Sequence, residues 1–259
     1  QEDDTTAPYR FRGYEHWMET VKGRQYPIHH RRRQGDAAAP AETTLDVNAL
    51  AEGRSFMSLG AYAMSDDGTL IAYSTDDTGF RQYRLQVKNL STRELWSRTF
   101  EKTISVTWAA DSKTVFFTEE DHAKRAARLY RVRAFSDADP VLLCEEEDER
   151  FSLEIFRSRS GAFLLLAKAS HTTAEFHVLD AGMPDAAFRM IAPRRQDHEY
   201  ELDHQDDRFL IRTNDRGRNF RLVEAPVASP GEENWRELVP HREDVMLEAA
   251  LAFEKDIVL

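Results

Sequence analysis

Short polar turns alternate with apolar segments along most of this chain. Five of these turns are followed by an apolar segment that reads as a strand, and the five strands begin at Thr69, Thr114, Ala162, Phe209 and Ile257. The starting points are about 45, 48, 47 and 48 residues apart. A period in the forties indicates an internal repeat of one supersecondary unit.

Each complete repeat contains four strand-like segments. In the first repeat they cover residues 58–64, 69–73, 83–87 and 94–96, and the third segment alternates apolar and polar positions. Alternation with period two indicates a β-strand, and four strands per repeat are typical of a propeller blade. An extended β-sandwich is the alternative, but its strands would not recur in groups of four. In the last repeat, residues 246–250 and 257–259 are the predicted strands.

The fold predicted from this pattern is all-β, a β-propeller with four-stranded antiparallel blades. Residues 1–53 are an N-terminal segment with the first strands; blades follow near 54–100, 101–146, 147–195 and 196–241, and residues 242–259 begin a fifth. About four blades and part of a fifth leave the ring incomplete, so we expect a piece of a longer protein. A small ring of about five blades is the alternative, completed by a hairpin from 9–12, 14–17 and 26–33. The one helical turn expected is Leu45–Glu52.

Composition narrows the class of protein. The formal charge of −11 argues against general nucleic-acid binding, which needs a basic face. No apolar run approaches the length of a membrane span, and the acidic start does not resemble a signal peptide. Cys144 is the single cysteine, so an internal disulfide is excluded. A reducing compartment fits this, and we expect a cytoplasmic location with a periplasmic one still open.

Several segments, spread in order over nearly the whole chain, resemble one known family. They are Pro8–Trp17, Gly23–Arg32, Leu45–Gly53, Thr78–Leu85, Ser170–Phe176, Arg212–Leu222 and Pro240–Asp244. Together they are similar to the propeller of the prolyl oligopeptidase family, and within it to the oligopeptidase B (protease II) group.

The resemblance implies a two-part protein. Family members join a seven-bladed propeller to an α/β-hydrolase domain that carries a Ser-Asp-His triad. This chain would then be an N-terminal part of the propeller, acting as a steric gate that admits short peptides. The hydrolase domain would be its partner, and the whole protein would cleave after basic residues. The chain has no Gly-x-Ser-x-Gly nucleophile elbow, so we assign it no catalytic residue and expect no cofactor. A free-standing propeller that binds proteins or peptides is the alternative.

The best candidates for contacts with a hydrolase domain lie in the charged connection within the second blade. They are Glu119, Glu120, Lys124 and Arg125. The resemblance implies salt bridges between charged propeller loops and the hydrolase domain. An exposed loop without such a role is the alternative. We also expect the open blade edges to allow self-association.

Three charged motifs invite other interpretations. His198 and His204 share one face of a predicted strand, but they are too far apart to ligate one metal ion directly, and neighbouring His29 and His30 point to opposite faces. We therefore predict no metal site. The basic run His29–Arg33 is short and isolated for a nucleic-acid patch, which favours a solvated loop or an interdomain ion-pair site. The acidic run Glu145–Glu149 is interpreted as a solvated linker between blades, and attraction of basic peptides is the alternative.

Overall fold

The computed structural model describes residues 2–36 and 38–259. Its regular structure is almost entirely antiparallel β-sheet. The chain divides into two compact units, one ending at Thr103 and the other beginning at Ile104. Among the described residues, no helix has the length and apolar character needed to cross a membrane.

The first unit contains two sheets. The N-terminal sheet has the order β1-β3-β4-β5, with β2 paired to β3, and its strands are β1 Asp4–Thr5, β2 Tyr9–Phe11, β3 Tyr14–Thr20, β4 Ile28–Arg33 and β5 Glu42–Asp46. The expected strands at 9–12, 14–17 and 26–33 are therefore present, in a sheet of their own. The second sheet has the order β6-β7-β8-β9, with β6 Ser58–Met64, β7 Leu70–Asp76, β8 Arg84–Asn89 and β9 Phe100–Glu101.

A single helical turn separates these two sheets. Helix α1 spans Val47–Leu50, inside the predicted 45–52 turn. The Asp46 side chain caps it by accepting hydrogen bonds from the backbone N–H groups of Asn48 and Ala49. This is the usual role of an Asp at the N-cap.

The second unit contains three sheets of four strands and one of two, and each four-stranded sheet pairs its strands in chain order. The first has β10 Thr103–Trp108, β11 Thr114–Glu120, β12 Ala126–Arg133 and β13 Val141–Glu145. The second has β14 Ser152–Arg157, β15 Phe163–Ala169, β16 Ala174–Asp180 and β17 Arg189–Ala192. The third has β18 Tyr200–Gln205, β19 Arg208–Thr213, β20 Arg221–Pro226 and β21 Arg236–Val239, with a 3₁₀ turn at Glu232–Asn234. The last pair is β22 Leu251–Ala252 and β23 Ile257–Val258.

Strand β15 shows why its sequence is apolar without alternation. Leu164 and Leu166 pack into a core shared with Leu153 and Ile155, whereas Leu165 packs into a second core with Tyr200 and Phe209. Successive side chains of a strand point to opposite faces of the sheet. The β14–β17 sheet is thus buried on both faces. Consecutive leucines therefore supply apolar side chains to both cores.

Two predicted strands differ in the structure. Residues 94–96 form only an isolated bridge between Lys88 and Leu95, and the fourth strand of that sheet is β9. Residues 246–250 are not a strand, and the strand begins at Leu251. The backbone of this stretch is bonded elsewhere: the Leu247 N–H donates to the Asn219 carbonyl, and the Leu247 carbonyl accepts from Arg212.

Candidate functional site

The loops at one end of the three four-stranded sheets of the second unit are rich in charged and polar residues. In an antiparallel sheet, the turn from the second to the third strand lies at the same end as the linker to the next sheet. These loops are 121–125, 146–151, 170–173, 193–199 and 214–220. We call this set the linker edge. It contains or adjoins all four residues predicted for domain contacts.

Glu119 lies on strand β11 and takes part in a ladder of alternating charge. It lies opposite Arg128 on β12, whose guanidinium is 3.1 Å from Glu119 and 2.9 Å from Glu145 on β13. All three side chains are partly exposed. Such cross-strand pairs stabilise a sheet weakly, and their charges stay accessible to a partner.

Glu120 and Lys124 form an ion pair of unequal exposure. The Glu120 side chain is only 3% exposed, whereas Lys124 is 50% exposed with its Nζ 2.7 Å from Glu120 Oε1. A buried carboxylate needs a partner because burial strongly disfavours an uncompensated charge. Glu120 therefore anchors Lys124, and Lys124 is the member that faces solvent.

Arg125 is directed into the protein. Its Nη1 donates to the carbonyls of Asp148 (2.6 Å) and Phe151 (2.8 Å), and its Nη2 donates to the carbonyl of Glu146 (3.0 Å). Its Nε donates to Asp121 at 3.0 Å. The guanidinium fork thus holds the linker between the first two sheets of this unit against the β11–β12 turn.

The same arrangement recurs in the next two sheets with different chemistry. Thr173 Oγ1, beside the β15–β16 turn, accepts from the N–H of Asp197 in the following linker. Asn219, in the β19–β20 turn, donates through Nδ2 to the carbonyls of Arg242 and Glu243. In each sheet, one polar side chain near the second turn bonds to the backbone of the linker that leaves the sheet.

A buried ionic cluster joins two neighbouring linkers. Arg194 lies 2.6 Å from Glu146 and 3.4 Å from Glu175, and its guanidinium stacks over Phe151 at 3.9 Å. His177 Nε2 lies 2.8 Å from Glu175. Burial by itself raises the pKa of Glu175, but hydrogen bonds from His177 and Arg194 outweigh it and lower that pKa below its usual range. Burial lowers the pKa of His177.

This cluster revises the interpretation of the acidic run. Glu146 is buried and bonded to Arg194, Glu145 pairs with Arg128, and Asp148 pairs with Arg150. In the part of the chain that the structure describes, only Glu147 and Glu149 of the run lack an ion pair. Most carboxylates of the run are therefore held in ion pairs. The sequence did not point to Arg194, Glu175 and His177 because they lie far from the acidic run along the chain.

The histidines singled out from the sequence have separate partners. His198 shares a hydrogen bond with Thr213 Oγ1 (2.9 Å), and His204 shares one with Ser160 Oγ (2.9 Å). Burial lowers the pKa of both. In the first unit, His29 stacks on Tyr62 and His30 lies 2.9 Å from Glu19. Within residues 2–36 and 38–259, no group of three or more His, Cys, Asp or Glu side chains is placed to hold a metal ion.

Comparison with known proteins identifies this architecture. The family model for the prolyl oligopeptidase N-terminal β-propeller domain matches residues 1–259. The chain belongs to the prolyl oligopeptidase family. The resemblance seen in the sequence is confirmed, and so is the all-β propeller fold with four-stranded antiparallel sheets.

Individual relatives of this family are similar over nearly the whole chain. Dipeptidyl aminopeptidase BI of Pseudoxanthomonas mexicana is 36% identical over 98% of the chain, and Protease 2 of Moraxella lacunata is 29% identical over 95%. Oligopeptidase B of Leishmania major superposes with a TM-score of 0.89 at 28% identity over 96% of the chain. The chain spans 38% of the length of each of the two relatives and 36% of that structure.

Proposed function

We propose that this chain is the non-catalytic gating domain of a serine oligopeptidase related to oligopeptidase B. The observation that carries the proposal is the match of a propeller-domain model to the full 259 residues, while relatives named as peptidases are more than twice as long. The repeats near 54–100, 101–146, 147–195 and 196–241 act as its blades. The protein acts in the cytoplasm, in keeping with its lone cysteine.

In this proposal, the propeller partners a hydrolase domain that holds the catalytic serine. The propeller restricts access to short peptides, and the whole protein cleaves them after Arg or Lys. At the linker edge, Glu119 and Lys124 make the contacts with the hydrolase domain because their charges are accessible. Glu120 and Arg125 support these contacts from within, Glu120 by anchoring Lys124 and Arg125 by holding the linker.

The first test is the coding sequence beyond Leu259 and the activity of the protein it encodes. We expect a Gly-x-Ser-x-Gly elbow followed by Asp and His. We expect hydrolysis of a short Arg-containing peptide amide and no hydrolysis of a folded protein that bears exposed arginines. A reading frame that stops at Leu259 contradicts the proposal and favours the free-standing binding scaffold.

The second test addresses the linker edge. In the complete enzyme, Lys124→Glu places a second carboxylate beside Glu120, and we expect kcat/KM for the short peptide to fall about three- to tenfold. The matched control is Lys113→Glu, at an exposed position in the turn at the opposite end of the same sheet. Equal effects of the two variants, or none from Lys124→Glu, contradict the role given to Lys124.

A further inference from the structure

A cavity of about 360 Å³ lies between the second and third four-stranded sheets of the second unit, beside their first strands β14 and β18. It is open to solvent and falls at the lower end of the range of roughly 300–1,000 Å³ typical of ligand pockets. Part of its lining, including Thr173 and Glu199, comes from the loops of the linker edge. We call it the inner cavity.

Four aromatic rings contribute to the walls of the inner cavity. Phe156 comes from β14, Phe176 from β16, Tyr200 from β18 and Phe220 from the β19–β20 turn. Phe176 and Tyr200 are buried, and the Tyr200 hydroxyl is bonded to the backbone of Phe176 and Ala192. These rings are therefore fixed before any ligand arrives, which lowers the ordering cost of binding.

The rim of the cavity carries excess negative charge. Its charged residues are Glu154, Glu199, Glu201 and Arg212. The Arg212 guanidinium forms an ion pair with the Glu201 carboxylate, with N–O distances of 2.8 and 3.2 Å. Glu154 makes no ion pair with the described residues, and the Glu199 carboxylate accepts only a hydrogen bond of 3.3 Å from Asn214. Two carboxylates thus remain uncompensated beside an aromatic pocket.

The protein already binds a guanidinium of its own between an aromatic ring and a carboxylate. The Arg212 guanidinium stacks on Phe220 with 3.9 Å to the ring centroid while it bonds to Glu201. Arg194 repeats the arrangement with Phe151 and Glu146 at the linker edge. An aromatic face combined with a carboxylate favours a cation through cation–π attraction and charge-assisted hydrogen bonds.

We propose that the inner cavity is a binding site for the basic side chain, arginine or lysine, of a short peptide. The aliphatic part of that side chain lies against Phe156 and Phe176, and its cationic end lies between Glu154 and Glu199. The site belongs to the propeller itself. It needs neither the catalytic serine nor a hydrolase domain, so its test is independent of the function proposed above.

The experiment is calorimetric and NMR titration of the 259-residue chain with N-acetyl-arginine amide. The comparison ligand is N-acetyl-citrulline amide, which has nearly the same shape but no charge. We expect the arginine compound to bind with a Kd of roughly millimolar order, as suits so small a ligand, and the citrulline compound to bind at least about fivefold more weakly.

Variants at the rim locate the site. Glu154→Gln and Glu199→Gln each weaken binding of the arginine compound about three- to tenfold, and Glu154→Lys abolishes it. Glu147→Gln and Glu149→Gln remove the same charge from exposed positions outside the cavity and leave the affinity within about twofold. Circular dichroism and thermal melting verify that each variant is folded.

Three results would overturn the proposal. One is equal binding of the arginine and citrulline compounds. Another is an equal loss of affinity in the Glu147→Gln control, because general charge attraction would then explain the binding. The third is an absence of saturable binding up to about ten times the expected Kd.

Discussion

At the scale of single residues, the linker edge separates two kinds of charged side chain. Lys124 and Glu119 present their charges to solvent. The Arg125 guanidinium instead donates hydrogen bonds to backbone carbonyls of the linker 146–151. All four candidates were predicted from one charged loop. Their burial differs because only the fold brings three carbonyls, 21–26 positions later in the chain, within reach of Arg125.

Removing the Arg125 side chain tests its structural role. Arg125→Ala leaves buried carbonyls without their donor, and we expect a loss of about 2–4 kcal/mol in the free energy of unfolding. Arg125→Lys keeps the charge but lacks the planar fork, so its loss should be intermediate. Urea unfolding measures both. The control is Arg150→Ala, an exposed arginine that forms an ion pair with nearby Asp148, and its midpoint should not move. A wild-type midpoint in Arg125→Ala would refute the role.

At the scale of elements, local patterning predicts strands well where the partner strand is adjacent in sequence. Strands β7, β11 and β15 follow their turns as expected because alternation and turn chemistry act within a few residues. The stretch 246–250 has similar apolar character but no strand partner, since Asn219 and Arg212 hold its backbone. Arg194 likewise joins Glu146 and Glu175 across two linkers, a contact that local patterning does not contain.

Strand β6 contains a glycine, Gly60, whose position is crowded by neighbouring side chains. The register between β6 and β7 shifts between Leu59 and Tyr62, and a Cβ on Gly60 would lie 2.7 Å from both Ser74 Oγ and Tyr83 Cδ1. We expect Gly60→Ala to destabilise the protein by about 1–3 kcal/mol through overpacking. Gly182→Ala is the control, because its nearest neighbour is Asp180 Oδ1 at 3.3 Å. Chemical denaturation distinguishes them, and equal stabilities would show that the Tyr83 ring can move aside.

At the scale of the whole molecule, buried and half-buried histidines couple stability to pH. Burial is the largest cause of the lowered pKa of His16, His29, His177, His198 and His204. The unfolded chain therefore binds protons more readily than the folded one as the pH falls below about 6.5. Folding stability should then decrease, by at most about 1.4 kcal/mol per histidine for each pH unit. Glu175, with its lowered pKa, adds a further loss at lower pH, as its carboxylate is protonated.

Urea unfolding at pH 7.5, 6.5 and 5.5 measures this dependence. The midpoint should fall across the series, and His198→Gln should flatten the fall. His122→Gln, at an exposed position, should leave the slope unchanged. A midpoint that stays constant or rises on acidification would contradict the lowered pKa of these histidines.

The C-terminal part of the second unit exposes apolar surface beside a short edge strand. Val245, Met246, Phe253, Val258 and Leu259 are exposed around the two-stranded β22–β23 sheet. Unpaired strand edges with apolar neighbours favour pairing with another chain. We expect the isolated chain to self-associate with increasing concentration, as multi-angle light scattering would record. A constant mass of 29.9 kDa over a wide concentration range would contradict this expectation.

The sequence by itself determined the repeat, most strands of each unit and the family, because turns, alternation and ordered motifs are local properties of the chain. It also singled out the charged loop at 119–125. Only the tertiary structure decided which of those charges face solvent, which carboxylates of 145–149 are buried, and that Glu154 and Glu199 border one aromatic cavity. Those outcomes depend on contacts between residues tens of positions apart, and burial, which sets the free energy of a charge, exists only once the sheets have packed.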